Sequence, residues 1–240
     1  MIRDHKPYRL KQLFQRIERW YADHFLTPQF EHFGAGHFIM KPWNVKVHGR
    51  HISIGSNVHI IADAERKVSL SSWTFGDHQG RITIGDNVLL CPGVRIDSAS
   101  GISIGDNCMF AAGSYITDAD WHDIYDRTET VGNTRPIKLE TNVWIGDGAI
   151  VCKGVTIGEN SVIGAGSVVA SDIPANVIAA GNPAQVIKPL DESRELITRE
   201  TIFADIDALH QKNDAIDRYV LYHNTWIGWL RSLLFPKRGD

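Results

Sequence analysis

The chain has 240 residues, 43% of them hydrophobic and 22% charged, and its formal net charge at pH 7 is −3. This length supports one domain with a substantial core and some appendages. The charge balance argues against a nucleic-acid partner, which calls for a basic surface. No apolar run approaches the roughly 20 residues that a membrane span needs. Residues 1–6 are polar and lead into no signal-peptide core, and the odd number of cysteines, Cys91, Cys108 and Cys152, favours reduced thiols. We therefore expect a cytoplasmic protein.

The first predicted element is an amphipathic helix that ends near Pro28. Apolar residues recur there at helical spacing, with basic residues between them: Leu10, Leu13, Phe14, Ile17, Tyr21 and Phe25. Residues 29–47 lack this spacing and are interpreted as an irregular or short-stranded cap. Residues 1–47 are thus predicted to form an N-terminal helix and a cap over the segment that follows.

From residue 48 the sequence repeats with a period of six: an aliphatic residue, usually a glycine, two turn residues and a small residue. Clear copies begin at Ile54, Ile84, Ile104, Ile145, Val151, Ile157 and Ile163. A repeat this short buries nothing by itself, so only stacked repeats form a core. Three hexads make one triangular coil, and residues 48–190 are predicted to form a parallel β-solenoid. Asn57, Asn87 and Asn107 fit corners where φ is positive.

The repeat is interrupted by a polar insertion, residues 117–141. Its first part reads Thr117-Asp118-Ala119-Asp120-Trp121-His122-Asp123. A smaller irregularity at residues 62–80 contains Trp73 and Phe75. Since a repeat is interrupted most readily where something other than stacking is needed, the function is expected in the longer insertion, around His122.

After Pro189 the repeat ends, and residues 191–240 are predicted to form a helical extension. Apolar residues between Leu196 and Leu209 indicate one amphipathic helix, and those between Ile216 and Phe235 indicate another. Basic residues flank the last apolar stretch. This stretch fits two interpretations: packing against the solenoid or a neighbouring subunit, which we favour, or peripheral contact with the inner face of a membrane.

Four segments of the chain resemble the hexapeptide-repeat acyltransferase family, most closely its branch that acetylates sugar or antibiotic hydroxyls. They are the His122 loop, residues 142–146, residues 153–158 and residues 172–184, within a resemblance that covers about residues 50–190. The resemblance implies a mainly β fold, a left-handed parallel β-helix, although parallel strands usually connect in the right-handed sense. It also implies a homotrimer and acetyl-CoA as the donor substrate.

The resemblance implies that His122 is the general base. An imidazole can take the proton of an acceptor hydroxyl as that hydroxyl attacks the thioester carbonyl. Asp120 and Asp123 are candidates to accept a hydrogen bond from its other nitrogen. The carboxylates around His122 could instead solvate the loop, bind a cation or bind acceptor hydroxyls. No metal is expected, because these carboxylates lack EF-hand spacing.

The remaining site residues are assigned by the same resemblance. The cofactor-binding candidates are Trp144, Gly146, Asp147, Ala165 and Lys188. A backbone N–H of Gly146 or Asp147 would stabilise the oxyanion. The acceptor-binding candidates are Asp97 and Asp118, and Asp97 is chosen because Cys91 stands near the position of the family's acceptor-binding asparagine.

The leading hypothesis is transfer of acetyl from acetyl-CoA to a hydroxyl of a sugar or polysaccharide precursor. One alternative is N-acetylation of an amino-sugar or nucleotide-sugar, which uses the same base and donor. Another is a non-catalytic β-helix scaffold, which would have no need of the His122 insertion. A γ-type carbonic anhydrase is disfavoured, since His122 has no partner histidine at the spacing that zinc requires.

Overall fold

The computed structural model describes residues 4–238, so the start of the predicted polar segment and the last two residues of the C-terminal extension lie outside it. The predicted N-terminal helix is confirmed as α1 (Tyr8–Tyr21). The chain then stays helical through a π turn (Ala22–Leu26) and a 3₁₀ turn (Thr27–Gln29). Pro28 lies in the first positions of that last turn, where its missing N–H leaves no hydrogen bond unmade.

The centre of the molecule is a three-sided parallel β-helix of six coils, and each coil contributes one short strand to each side. The first coil is β1 (His32–Phe33), β2 (Phe38–Met40) and β3 (Val45–His48), and the second is β4 (Ile52–Ile54), β5 (His59–Ile61) and β6 (Val68–Ser72), followed by the hairpin β7 (Thr74–Phe75) and β8 (His78–Gln79). The third coil is β9 (Ile82–Ile84), β10 (Leu89–Leu90) and β11 (Arg95–Ser98), and the fourth is β12 (Ile102–Ile104), β13 (Met109–Phe110) and β14 (Tyr115–Thr117). The fifth coil is β15 (Ile137–Leu139), β16 (Trp144–Ile145) and β17 (Ile150–Val151), and the sixth is β18 (Thr156–Ile157), β19 (Val162–Ile163) and β20 (Val168–Val169). An antiparallel pair, β21 (Val177–Gly181) and β22 (Ala184–Pro189), ends the solenoid.

The strands form three sheets, which we call the first, second and third faces after the order of the strands in each coil. The first face is β1-β4-β9-β12-β15-β18, the second is β2-β5-β10-β13-β16-β19-β21-β22, and the third is β3-β6-β11-β14-β17-β20. Residues of successive coils pair in register, so that Ile102 lies between Ile82 and Ile137.

The aliphatic residue of each hexad points into the axis, as predicted. These side chains are at most 2% exposed and form one continuous core: Ile54, Ile84, Leu90, Ile96, Ile104, Phe110, Ile116, Ile145, Val151, Ile157, Ile163 and Val169. Complete burial of one such side chain stabilises the fold by about 1.5–3 kcal/mol. The stack of hexads is therefore the main source of stability.

Two boundaries differ from those expected from the sequence. The first coil begins at His32, inside the segment interpreted as a cap, because β1, β2 and β3 pair with the strands of the second coil. Phe33 and Gly34 lie in the register of Ile54 and Gly55, with an aromatic residue in place of the aliphatic one. The catalytic-loop insertion is shorter than 117–141, because Ile137–Leu139 forms strand β15 on the first face. The insertion therefore comprises residues 118–136.

Two of the three corners differ in what they carry. The corner between the first and second faces carries asparagines with φ between 55° and 62°, as expected: Asn57, Asn87, Asn107, Asn142, Asn160 and Asn176. Side-chain amides of successive coils bond to one another there, for example Asn160 Nδ2 to Asn176 Oδ1 at 2.8 Å. The corner between the third and first faces instead accommodates both insertions, at residues 73–80 and 118–136.

The C-terminal extension forms α2 (Glu200–Phe203), α3 (Ile206–Val220) and α4 (Trp226–Leu234). It packs back on the start of the chain, where Lys11 Nζ lies 2.6 Å from Asp217 Oδ1. Arg199 Nε donates to the carbonyl oxygen of Asn87 at 2.7 Å. Within residues 4–238, no helix has the length and apolar character to cross a membrane.

The three cysteines are unpaired, as expected from their number. Burial raises the pKa of the Cys108 thiol to about 12, so this side chain stays neutral and serves as a small core residue.

Candidate active site

The long insertion is a hairpin that projects from the corner between the third and first faces. Its base is closed by an antiparallel bridge between Ala119 and Thr134. Further along, Asp120 N donates to the carbonyl oxygen of Asn133 at 2.9 Å, and Gly132 N donates to that of Asp120 at 2.8 Å. These bonds hold the two chains of the hairpin together, so that His122 lies just beyond a rigid base.

The imidazole of His122 is held by the opposite chain of the same hairpin. Nδ1 lies 3.2 Å from the carbonyl oxygen of Glu129, and the side chain is exposed. A carbonyl oxygen can only accept a hydrogen bond, so in the neutral ring Nδ1 carries the hydrogen and Nε2 carries the lone pair. The exposed nitrogen is therefore the one that can act as a base.

The hydrogen bond expected between His122 and Asp120 or Asp123 is not present in the structure. Asp120 forms an ion pair with Lys153, which comes from the next coil at the same corner. Asp123 Oδ1 accepts hydrogen bonds from the backbone N–H groups of Tyr125 and Asp126 at 2.8 and 2.9 Å. These two N–H groups hold the pKa of Asp123 below its usual range. Both carboxylates thus stabilise the loop, Asp123 through backbone N–H groups and Asp120 through Lys153.

Asp118, expected to bind the acceptor, is fully buried and serves as the anchor of the insertion. Its carboxylate accepts hydrogen bonds from the N–H groups of Ala99, Ser100 and Gly101 at 2.7, 3.0 and 2.6 Å. A fourth comes from Ser98 Oγ at 2.7 Å. With both oxygens occupied and no exposed surface, Asp118 cannot reach an acceptor, and its expected role is corrected to a structural one.

Asp97, the other acceptor-binding candidate, lies on the outer side of the third face at the strand preceding Asp118. It pairs in register with Ser71 and Thr117 and is 3% exposed. The guanidinium of Arg95 lies against its Oδ2, but this oxygen accepts no hydrogen bond from the residues that the structure describes. Asp97 is therefore close to the insertion, with its Oδ2 buried against the Arg95 guanidinium.

The cofactor-binding candidates lie together on another side of the molecule. Trp144 is 46% exposed on the second face, where one register row runs from Trp144 through Val162 and Ile178 to Lys188. Three strand spacings separate the ends of this row, a distance of about 14 Å. Asp147 and Ala165 are exposed at the adjacent corner, in successive coils. An extended ligand with an anionic end could lie along this surface.

The two expected oxyanion donors are not equivalent. Gly146 N donates to the carbonyl oxygen of Ile163 at 2.8 Å as part of the ladder between coils. A Cβ on Gly146 would lie 2.5 Å from that same oxygen, which accounts for the glycine. The donor of this pair that is left for an oxyanion is the N–H of Asp147.

The catalytic candidate and the cofactor candidates lie at different corners of the triangle. His122 projects from the corner between the third and first faces, whereas Trp144 lies on the second face and Asp147 and Ala165 at its junction with the third. The solenoid axis is filled with side chains, so these groups cannot meet within one chain. A site that contains all of them requires a second copy.

Two contacts of the loop were not expected from the sequence. Lys153 could have been suspected, because it begins one of the four segments that carry the family resemblance. No sequence pattern marks the carbonyl oxygen of Glu129, because every residue has a backbone carbonyl and only the fold of the loop brings this one to the imidazole.

Comparison with known proteins assigns the chain to a family. The model "Bacterial transferase hexapeptide (six repeats)" matches residues 136–171, and "Hexapeptide repeat of succinyl-transferase" matches residues 81–118. A galactoside O-acetyltransferase of Lactococcus lactis is 31% identical over 170 residues, which are 70% of this chain and 67% of that protein. The chain belongs to the hexapeptide-repeat acyltransferase family.

Two further similarities bear on length and fold. A galactoside O-acetyltransferase of Escherichia coli is 37% identical over 144 residues, 59% of each protein, so the match spans less than two thirds of that relative. The structure of a mutant of AntD, an N-acyltransferase from Bacillus cereus in complex with dTDP-4-amino-4,6-dideoxyglucose and coenzyme A, superposes with a TM-score of 0.57 at 20% identity. It covers 80% of this chain and 96% of that chain. Together with the family match, this similarity confirms the left-handed β-helix.

Proposed function

We propose that this protein transfers acetyl from acetyl-CoA to a hydroxyl of a sugar or polysaccharide precursor, with His122 as general base. The observation that carries the proposal is the 3.2 Å distance from Nδ1 of the exposed His122 side chain to the Glu129 carbonyl oxygen, which favours a lone pair on Nε2. The names of two relatives, both galactoside O-acetyltransferases, support a carbohydrate hydroxyl as the acceptor.

In the proposed reaction His122 takes up one proton from the acceptor and then gives it to the leaving group. Nε2 of His122 takes the hydroxyl proton while the acceptor oxygen forms a bond to the thioester carbonyl carbon. The Asp147 N–H would stabilise the negative charge that develops on the carbonyl oxygen. As the carbon–sulfur bond breaks, the imidazolium returns the proton to the leaving thiolate, and the ester and free CoA are the products. A thioester is already activated, so no covalent enzyme intermediate is required.

Acceptor-dependent release of free thiol from acetyl-CoA tests this function. The panel contains sugars, amino-sugars, nucleotide-sugars and hydroxylated antibiotics. We expect release with a hydroxyl acceptor and an ester in the product. Preference for an amine acceptor would establish the N-acetyltransferase instead. If the chain neither releases thiol nor binds acetyl-CoA, the acyltransferase proposal fails in favour of the scaffold.

The proposed assembly is a homotrimer, because three copies around an axis can bring the His122 corner of one chain against the second face of the next. The cofactor groove of the proposal then lies between subunits. It is lined by the exposed Trp144, Asp147, Ala165 and Lys188 of one chain and faces His122 of the other.

Complementation between two inactive variants tests the shared site. His122→Ala removes the base, and Ala165→Trp fills the exposed corner where acetyl-CoA is expected. Each variant alone should be inactive. When the two variants are co-expressed at equal levels, a site is intact if one chain has His122 and the neighbouring chain has Ala165. Random assembly should therefore restore about one quarter of wild-type activity. If co-expression restores no activity, His122 and the corner at Ala165 belong to a site within one chain.

For the location of the protein, we propose the cytoplasm. Because the apolar side chains of α4 are exposed, we propose peripheral contact at a membrane surface in place of the packing favoured from the sequence. This helix leaves a set of apolar side chains exposed: Trp226, Ile227, Leu230, Leu233, Leu234 and Phe235. Arg231, Lys237 and Arg238 lie beside them. Apolar and basic side chains together are typical of helices that bind anionic lipid.

Flotation with vesicles tests this contact. The full chain should float with vesicles that contain phosphatidylglycerol and not with neutral phosphatidylcholine vesicles. Ile227→Asp, at a side chain that is 82% exposed, should abolish flotation without unfolding the protein. If the full chain stays unbound with both kinds of vesicle, the packing interpretation of α4 is the correct one.

A further inference from the structure

The corner that carries the His122 hairpin carries a second, shorter hairpin two coils earlier. Residues 73–80 leave the solenoid after β6 and contain the antiparallel pair β7–β8. The third coil lies between the two hairpins, and its own corner, residues 99–101, has no insertion. Neighbouring strands of a sheet lie about 4.8 Å apart, so the roots of the two hairpins are about 10 Å apart. Large side chains can bridge that distance.

The two hairpins are joined at their roots by Ser98, which is fully buried. The carbonyl oxygen of Ser98 accepts a hydrogen bond from Trp73 N at 2.8 Å, and its hydroxyl donates to Oδ2 of Asp118 at 2.7 Å. Gly80 closes the short hairpin by donating to the carbonyl oxygen of Trp73 at 2.9 Å. A Cβ on Gly80 would lie 2.2 Å from the Ser98 carbonyl oxygen, which accounts for the glycine. The same residue thus fixes the roots of both hairpins.

The two hairpins meet again above their roots, through a pair of indole rings. Trp73 and Trp121 are in edge-to-face contact, with ring centroids 6.1 Å apart and an interplanar angle of 66°. Trp73 is also held by the ring of His48, whose centroid is 4.4 Å away. The indole N–H of Trp121 donates to Thr117 Oγ1 at 3.1 Å. Trp121 is therefore fixed both to its own strand and to the short hairpin, and His122 is the next residue in the chain.

The residue before Trp121 is held from the opposite direction. Asp120 forms its ion pair with Lys153, which lies at the same corner in the fifth coil, one coil after the insertion. Trp73 lies in the second coil, two coils before it. The two residues that precede His122 are thus held from both directions along the solenoid axis, whereas the carboxylate of Asp123, which follows it, bonds to backbone N–H groups of the loop.

From these contacts we infer that Trp73 is a positioning residue for His122 and that the short hairpin is a buttress of the catalytic loop. This inference rests on the proposed function. The hydrogen bond to the Glu129 carbonyl orients the imidazole within its own hairpin, and it does not fix that hairpin relative to the solenoid. Trp73 supplies that second constraint through Trp121. A base must lie within hydrogen-bond reach of the proton it takes, and a shift of about 1 Å can lower the rate up to about a hundredfold.

Substitution of Trp73 tests the buttress. Trp73→Ala should lower kcat about threefold to tenfold, the range that one aromatic pair accounts for, with the KM for acetyl-CoA unchanged. Trp73→Phe, which keeps a ring against Trp121, should recover most of the loss. Trp43→Ala is the matched control, because Trp43 is 44% exposed and makes one edge-to-face contact, with Tyr21 at 5.8 Å.

The control also separates positioning from stability. The thermal midpoint should fall no further in Trp73→Ala than in Trp43→Ala, and only the first variant should lose kcat. A wild-type kcat in Trp73→Ala, whether or not the KM for the acceptor changes, would overturn the inference while the acyltransferase function stands. A kcat lowered equally in both variants would also overturn it.

A double-mutant cycle shows whether Trp73 acts through its neighbour. Trp121→Ala should lower kcat at least as much as Trp73→Ala does. Addition of Trp73→Ala to Trp121→Ala should then have no further effect, because the contact between the two rings is already lost. If the two losses multiply instead, Trp73 acts on some other group, and the inferred route to His122 is wrong.

Limited proteolysis tests the buttress without the reaction. Arg127 is exposed in the catalytic loop, and trypsin can cleave after it only when the loop opens into an extended segment. Cleavage there should be about threefold to tenfold faster in Trp73→Ala than in the wild type, and unchanged in Trp43→Ala. If no acceptor supports thiol release but this acceleration is found, the buttress stands and the proposed reaction does not. Equal cleavage rates in Trp73→Ala and wild type would overturn the buttress directly.

Discussion

Replacement of His122 by alanine should lower kcat/KM for acetyl transfer at least about a hundredfold, the lower limit for loss of a general base. The loss should appear in kcat, since the imidazole acts on the reacting proton rather than on the bulk of either substrate. The thermal midpoint should remain at the wild-type value, because the side chain is exposed and its hydrogen bond is to a backbone carbonyl of the same loop, that of Glu129. Thiol release with the best acceptor and a thermal melt measure both effects.

Three further variants show whether the effect depends on the position of the imidazole. Gly132→Ala should reduce activity, because a Cβ there would lie 2.6 Å from the carbonyl oxygen of His122 and must displace the loop. Gly101→Ala is its matched control, since the nearest atom, Pro136 Cβ, is 3.9 Å away. His210→Ala removes an exposed histidine on α3 and should have no effect. Equal thiol release by His122→Ala and wild type would remove His122 from the mechanism.

Replacement of Asp118 by alanine should lower the free energy of unfolding by about 3–5 kcal/mol, the range for loss of one partner in a buried charged network. Three backbone N–H groups and the Ser98 hydroxyl would lose their acceptor. In a chain of this size, that loss corresponds to a thermal midpoint lowered by roughly 10 °C. Urea unfolding and thermal melts measure the change.

Asp118→Asn keeps the shape of the Asp118 side chain and removes its charge. Asp118→Asn should lower the free energy of unfolding less than Asp118→Ala does. The amide oxygen of asparagine can still accept the three hydrogen bonds now made to Oδ2, and only Ala99 N would face the amide NH₂. Asp126→Ala is the control, because that carboxylate is exposed and caps residues within the loop. If the free energy of unfolding of Asp118→Ala lies within about 0.5 kcal/mol of the wild-type value, the range typical of surface substitutions, the carboxylate is not the anchor of the insertion.

The fold could be predicted to a large extent because the hexad is a local signal. An aliphatic residue six positions after the last one returns to the axis by backbone geometry alone, so Ile84, Leu90 and Ile96 could be assigned to one coil. The asparagines with positive φ could be assigned to corners for the same reason. The first coil was not recognised because an aromatic residue, Phe33, stands before Gly34 at the aliphatic position of the hexad, although its strands pair with β4, β5 and β6.

The candidate site was predictable only at its centre. His122 could be selected because it stands in the one long interruption of the repeat, and the position of that interruption is visible in the chain. The roles expected for Asp118, Asp120 and Asp123 could not be settled by spacing. Each carboxylate pairs with whichever donors the fold brings nearest, and for Asp120 that donor is Lys153, 33 residues away.

The sequence by itself determined the β-solenoid and the histidine of the insertion, because both follow from a period that each residue shares with its neighbours in the chain. Only the tertiary structure decided that Asp118 is an anchor, that a backbone carbonyl orients His122, and that the histidine and the proposed cofactor surface face different sides. These depend on how insertions of unequal length stack between coils, and no local pattern of residues encodes that stacking.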